Sequence, residues 1–195
     1  MICRTGTELI NPFKTLERAG IRPRMRVVDF GCGALGHWTF PAAQLVGPKG
    51  TVYAVDILRD VLTMLERRAK TDAYANIKYI WSDFDVYRAT HVPEGEIDLL
   101  ILSNNFPHSH NPAHLVKEIG RLVKRGGIVL VIDWKPSAGG WGSNPEKRIS
   151  AGDVKHAFHT SEFQLDEEFD AGPAHYALVF HRTDVAHTPP PDAVR

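Results

Sequence analysis

Val27-Val28-Asp29-Phe30-Gly31-Cys32-Gly33-Ala34-Leu35-Gly36 runs a hydrophobic strand, closed by a carboxylate, straight into a turn with three glycines. Val27, Val28 and Phe30 suit a buried strand. The glycines permit positive φ and close backbone approach, so a nucleotide-like ligand can lie against the turn and the following helix N-terminus. A second carboxylate, Asp56, ends the next apolar run, Thr51-Val52-Tyr53-Ala54-Val55-Asp56, where α/β folds of this kind grip a ribose.

Outward from this turn, apolar runs and amphipathic stretches alternate. Strands are expected at 26–30, 51–56, 77–81, 97–103 and 127–133, with helices between them at about 37–46, 59–71 and 112–124. Such alternation specifies a parallel, doubly wound sheet. Asn11-Pro12 starts a short helix over 12–19, stopped by Gly20. Asn111 and Pro112 start the third of the helices between strands, and Gly126-Gly127 separates it from the strand Ile128-Val129-Leu130-Val131-Ile132-Asp133. Residues 135–149, rich in Gly, Pro, Ser and Trp, read as a loop at the sheet's C-terminal edge, where function often resides. Ser150 and Asp153 suggest a capped helix over 151–159, followed by strands near 162–170 and 174–182. The short Gly172-Pro173 connection permits only an antiparallel pair. The expectation is a single domain over 1–182 and a disordered tail over 183–195 containing Pro189-Pro190-Pro191.

Composition bounds the function classes. The 195 residues are 43% hydrophobic, enough for a substantial core, and 23 basic residues balance 23 acidic ones. No general field draws the chain to nucleic acid or to an anionic membrane, so no nucleic-acid partner is expected. No run approaches the ~20 apolar residues that span a bilayer, and the N-terminus lacks the apolar core of a signal peptide. With only Cys3 and Cys32, neither a disulfide framework nor a Cys-rich zinc site is expected, and the chain reads as cytoplasmic.

Gly31-x-Gly33-x-x-Gly36 also matches the dinucleotide pattern, with Asp56 twenty residues beyond Gly36, so an NAD(P)-binding oxidoreductase is one reading. Three features favour S-adenosylmethionine. Asp29 would repel a pyrophosphate but attract a sulfonium or ammonium. Trp81-Ser82-Asp83 offers an acceptor for an adenine amino group beside an aromatic surface. The chain ends in a helix, a glycine pair, a strand and an antiparallel hairpin.

These residues resemble the class I S-adenosylmethionine-dependent methyltransferases, most closely the small-molecule branch grouped with ubiquinone and menaquinone biosynthesis. The resemblance runs from about Asn11 to Arg182 and rests on Val28-Asp29-Phe30-Gly31-Cys32-Gly33 through Gly36, Val55-Asp56, Ser82-Asp83, Ile97-Asp98-Leu99-Leu100 and Arg121-Leu122-Val123-Lys124-Arg125-Gly126-Gly127. It implies a three-layer, Rossmann-like α/β fold whose seven strands lie in the order 3-2-1-4-5-7-6, strand 7 antiparallel. It also implies that Asp29, Gly31, Cys32, Gly33 and Gly36 surround the methionine part of the donor, while His37 could meet the donor, meet the acceptor, or pack with Trp38 against the sheet. Asp56 would meet the ribose and Asp83 the adenine, with Asp85 a competitor for Asp83; Ile57, Ser82 and Phe84 would be further donor contacts, and Ser103 and Asn104 would line the methyl side.

If the acceptor is a hydroxyl, a base must take its proton, and His108 in Asn105-Phe106-Pro107-His108 is the candidate; it could equally cap a helix or face solvent. That segment departs from the Asn-Pro-Pro-Tyr motif of amino-group methylases, which disfavours nucleic-acid and protein acceptors. A metal site at His108 and His110 is not expected. Phe13, Trp134 and Trp141 are candidate apolar walls for a small-molecule acceptor undergoing O- or C-methylation. The lid is thin, so a homodimer could complete the pocket. His156, His159, His175 and His181 lie on the terminal helix and hairpin, away from the donor turn, and carry no expected role.

Overall fold

The computed structural model describes residues 10–138, 144–159 and 162–183. Cys3, Trp141 and the expected tail beyond Thr183 lie outside these residues. Seven strands form one sheet: β1 (Arg26–Phe30), β2 (Thr51–Asp56), β3 (Ile77–Trp81), β4 (Ile97–Ser103), β5 (Val123–Trp134), β6 (Phe163–Asp170) and β7 (His175–Arg182). Their order is β3-β2-β1-β4-β5-β7-β6, as expected. The central strands pair in parallel, while β7 runs antiparallel to both β5 and β6.

Helices cover both faces. On one, α1 (Pro12–Arg18), α2 (Thr39–Val46) and α3 (Arg59–Thr71) pack over Val27, Val52, Leu99, Ile101, Leu130 and Ile132. On the other, α4 (Pro112–Leu122) and α5 (Ala151–His159) cover Val28, Phe30, Leu100, Leu102, Val129 and Val131. Most of these strand residues are fully buried, each stabilising the fold by roughly 1.5–3 kcal/mol through removal from water. The alternation along each strand therefore fixes register, because a one-residue slip would exchange the two cores.

The helix starts follow their capping chemistry. Asn11 and Asn111 accept from the amides of Lys14 and His114, each at 3.1 Å. Ser150 and Asp153 form the reciprocal pair, with Asp153 N donating to Ser150 Oγ at 3.1 Å and Ser150 N to Asp153 Oδ2 at 3.3 Å.

One boundary differs from expectation. Gly126-Gly127 does not separate α4 from β5; the helix ends at Leu122 and the strand begins at once with Val123, opposite Ile97. The next pairing is Leu99 with Ile128, so the glycines occupy a bulge inside the strand. Gly126 has φ +68°, and a Cβ on Gly127 would lie 2.7 Å from Val123 Cγ1. The glycines thus relieve crowding within a strand rather than terminate a helix.

The long β3–β4 connection is fastened by Glu118 of α4, a fully buried carboxylate. It accepts from Arg88 N at 2.8 Å, from Thr90 N at 3.3 Å and from the Arg121 guanidinium at 2.5 and 2.9 Å. Although burial raises its pKa, these hydrogen bonds outweigh that effect and hold the carboxyl below its ordinary range.

Candidate functional site

Where β1 ends, Gly31, Gly33 and Gly36 adopt φ of +69°, +62° and +57°. At two of the three a Cβ would also collide with a neighbouring side chain. A Cβ on Gly31 would lie 2.2 Å from Asn105 Nδ2, and one on Gly36 would lie 2.5 Å from Leu65 Cδ1 and 2.7 Å from Phe40 Cε2. At Gly33 nothing lies within 4 Å, so the backbone there faces open space. The amides of Gly31 and Cys32 donate to Val55 O at 2.8 and 3.0 Å, tying the turn to β2.

Asn105 is the part of this turn that sequence reasoning missed. Its Nδ2 lies within donating distance of the carbonyls of Phe30, Gly31 and Ser103, at 2.9, 3.2 and 2.8 Å. It joins the ends of β1 and β4, seventy-four residues from Gly31 along the chain.

Asp29 is buried directly behind the turn, 1% exposed, and accepts from Thr39 Oγ1 at 2.6 Å. Burial pushes its pKa up from 3.8 to about 7, against the lowering effect of Thr39, with the nearby charge of Asp56 adding to the rise. A cation arriving beside it would stabilise the ionised form.

Asp56 closes β2 with both oxygens in use: Oδ2 accepts from Gly33 N at 3.1 Å and Oδ1 from Leu58 N at 3.0 Å. Each carboxylate oxygen retains a second lone pair, so the same group that shapes the turn can accept from two hydroxyls. Beyond β3, the side chains divide. Ser82 is buried, its hydroxyl 3.2 Å from Thr90 Oγ1. Asp83 accepts from Asp85 N at 2.9 Å and remains half-buried. Its competitor Asp85 is committed elsewhere, accepting from Ser109 Oγ at 2.6 Å and His110 N at 2.8 Å. Phe84 stacks on Phe30 with centroids 5.4 Å apart, while Ile57 and Trp81 are exposed.

Gly31, Cys32, Gly36, His37, Ser103 and Asn104 come together on one wall of a cavity of about 600 Å³. Phe13, Trp38, Phe40 and Trp134 line it as well, and so does His175 at the start of β7. The expectation that His175 lies away from the donor turn is therefore corrected. Antiparallel pairing sets it opposite Trp134, at the C-terminal end of β5. His108 sits in the short turn Phe106–His108, exposed, and is not among the described residues lining the cavity. Asp56, Ile57, Ser82, Asp83 and Phe84 likewise lie outside that lining, on the β2–β3 side of the turn.

Asn104 adopts φ +55°, its amide held by Ile132 O at 2.8 Å. Its Oδ1 and His37 Nε2 are buried without a hydrogen-bond partner among the described residues. Burial also lowers the pKa of His37. Burial raises the pKa of the Cys32 thiol strongly, and the charges of Asp29 and Asp56 add to the rise, so the thiol stays protonated and inert as a nucleophile.

Residues 21–183 match the family model of a methyltransferase domain. The chain belongs to that family. A demethylmenaquinone methyltransferase from Lactococcus lactis is 28% identical to the domain over 120 residues, 62% of this chain and 46% of that relative. One from a Geobacillus strain is 27% identical over 121 residues, 61% of this chain and 49% of the relative. This methyltransferase domain thus spans about half the length of the curated relatives it matches. Among solved structures, an S-adenosylmethionine-dependent methyltransferase from Aquifex aeolicus superposes with a TM-score of 0.84 at 22% identity, covering 91% of this chain and 92% of the other. The 4+2 cyclase SpnF superposes with a TM-score of 0.73 at 14% identity, covering 88% of this chain and 79% of the other. These structural likenesses establish the fold, and the second shows the fold in a protein named for a different reaction.

The residues of the domain fit a sulfonium donor. A carboxyl is buried behind the turn, Gly33 opens toward the ligand side, Asp56 has acceptor capacity for two hydroxyls, and His37 Nε2 and Asn104 Oδ1, on residues that line the cavity, lack partners among the described residues. Among the described residues no cluster of three or more His, Cys, Asp and Glu could hold a metal ion, and no helix is long and apolar enough to cross a membrane.

Proposed function

We propose that the domain transfers a methyl group from S-adenosylmethionine to a small-molecule acceptor bound in the cavity, by O- or C-methylation. The observation that carries this reading is the cavity itself. Turn residues Gly31, Cys32 and Gly36 share its lining with Phe13, Trp38 and Trp134, so a donor and an aromatic-walled acceptor space adjoin. About 600 Å³ is within the usual range for drug-sized ligands. The partially matching relatives named as demethylmenaquinone methyltransferases support a small-molecule class of acceptor.

The donor, when bound, supplies an electrophilic methyl group on a positively charged sulfur. The protein's part is to hold both partners in line and to exclude water. Asp29 stabilises the positive charge through the low-dielectric interior behind the turn. Asp56 accepts the ribose hydroxyls on its unused lone pairs, and Gly31, Cys32, Gly33 and Gly36 let the backbone approach the methionine part. Ile57, Asp83 and Phe84 border the adenine, with Ser82 contributing through its backbone because its hydroxyl faces Thr90. His37, Ser103 and Asn104 lie at the methyl side. A base at His108 would require the acceptor's hydroxyl to reach beyond the cavity lining, and no step is placed on it.

The ribose role is tested by Asp56→Ala. S-adenosylhomocysteine affinity, measured by calorimetry, is expected to weaken by about 1–3 kcal/mol, the scale of hydrogen bonds to a charged group. Thermal melting checks that the variant is folded, since Asp56 also holds the amides of Gly33 and Leu58. Unchanged affinity in a folded variant contradicts the role.

A further inference from the structure

The cavity contains a side chain that the donor reading does not use. His175 is 2% exposed, lines the cavity, and has neither Nδ1 nor Nε2 hydrogen-bonded among the described residues. Its ring lies against Trp134, with centroids 3.9 Å apart at 42°. A buried imidazole with both nitrogens unpaired is a costly arrangement that a core would ordinarily avoid. Its persistence beside an open cavity indicates that something polar from the ligand side completes it.

The charge state limits what that can be. Burial, followed by the positive fields of His37, Arg148 and Lys135, pushes the His175 pKa down to about 4. The ring is therefore neutral at working pH and offers one donor and one acceptor. A base this weak is poorly matched to a hydroxyl proton, so its chemistry is recognition rather than proton transfer. His37 adds a second buried, unpartnered ring nitrogen to the same cavity. No carboxylate is among the described residues lining it, whereas the cationic Arg68 is, so an ammonium group on the acceptor finds no ion-pair partner on these walls. The remaining walls include Phe13, Trp38 and Trp134.

We propose that His175, supported by His37, is the specificity-determining handle of the acceptor site, hydrogen-bonding the oxygen substituent of a flat, uncharged aromatic ring held among Phe13, Trp38 and Trp134. This rests on the reading of the cavity as the acceptor site of a methyltransferase. His175 binds and orients the ring; it neither gains nor loses a proton in the reaction.

The probe is 2-naphthol, titrated in the presence of saturating S-adenosylhomocysteine into the wild type, His175→Phe and His175→Gln. His175→Phe preserves an aromatic body without polar atoms and is expected to weaken 2-naphthol binding by about tenfold or more. His175→Gln keeps a donor and an acceptor and is expected to restore affinity to within about threefold of wild type. S-adenosylhomocysteine affinity stays within about twofold in all three proteins, since its proposed contacts lie elsewhere. In the wild type, 2-naphthol shifts the ring ¹⁵N resonances of His175, a readout independent of variant folding. The positively charged 2-naphthylmethylamine is expected to bind at least about tenfold more weakly than 2-naphthol. Unshifted His175 resonances, equal affinity in His175→Phe, equal binding of the amine, or no binding of 2-naphthol to wild type would each overturn the proposal. Failure of the wild type to bind S-adenosylhomocysteine would instead overturn the methyltransferase reading beneath it.

Discussion

Asp29→Asn is expected to make the protein more stable and worse at binding its donor. The unfolded carboxyl ionises near 3.8 and the folded one near 7, because the folded chain buries it. Below about pH 4 both states are protonated and the group contributes no penalty. As pH rises toward 7 the unfolded state ionises first, and the folded state loses up to about 4 kcal/mol relative to it, from roughly three units at 1.36 kcal/mol each. Above about pH 7 the penalty is constant. Asn can still accept from the Thr39 hydroxyl and carries no charge, so its advantage in denaturant melts should grow between pH 4 and 7 and then level off. Asp133, also buried and raised to about 7, imposes the same sign of pH dependence on wild type and variant alike.

The functional half runs the opposite way. If Asp29 serves the cationic donor, donor binding ionises it, so wild-type affinity for S-adenosylmethionine should rise with pH up to about 7 and level off above it, with release of a proton on binding over the rising part. The Asn variant should lose that pH dependence together with about tenfold in affinity at pH 8, or roughly 1.4 kcal/mol. Calorimetry in two buffers of different ionisation enthalpy reads the proton directly. An Asn variant that binds the donor as tightly as wild type would leave Asp29 as a structural residue only.

Gly31→Ala should be among the most destabilising single changes in the domain, at about 3–5 kcal/mol. The left-handed backbone at φ +69° accounts for about 1–2 kcal/mol of this for a residue with a Cβ. The remainder is collision, since the new methyl would sit 2.2 Å from Asn105 Nδ2 and 2.5 Å from Asn105 Cγ. Asn105→Ala by itself should also be destabilising, by about 1–3 kcal/mol, because it removes a donor from the carbonyls at the ends of β1 and β4. In Gly31→Ala/Asn105→Ala the collision is absent. The two penalties should therefore fall short of additivity by at least about 1 kcal/mol in a double-mutant cycle from urea unfolding. Strict additivity would show that Asn105 and the turn are not mechanically coupled.

Much of the fold was legible because local signals agreed with one another. The runs at 26–30, 51–56, 77–81 and 97–103 are strands with those bounds, and Asn11, Asn111 and Ser150-Asp153 start helices as their chemistry requires. Gly126-Gly127 misled because a glycine pair marks a helix stop and a strand bulge with the same letters; the crowding against Val123 that distinguishes them is tertiary. The donor turn was legible for the same reason as the strands, since positive φ at Gly31, Gly33 and Gly36 is a backbone property that only glycine meets cheaply.

What escaped was the long-range part of the site. Asn105 was seen as one letter in a loop motif, yet it reaches back to β1. Nothing local signals that bond, although an amide just past a strand end is well placed to make it. His175 escaped because its sequence neighbours belong to the terminal hairpin, and only the antiparallel return of β7 alongside β5 brings it to the cavity. Conversely, His108 has a suggestive local setting but an exposed position. A histidine's value depends on burial and partners that its own segment does not encode.

On the proposed function, the glycine turn and its two carboxylates hold a nucleoside joined to a methionine rather than to a pyrophosphate. Calorimetric titration of S-adenosylhomocysteine and, separately, NADH into the purified protein tests it most directly. Saturable binding of S-adenosylhomocysteine is expected at a stoichiometry of about one per chain, with NADH at least about a hundredfold weaker because Asp29 would face its pyrophosphate. Binding of NADH without S-adenosylhomocysteine would contradict it.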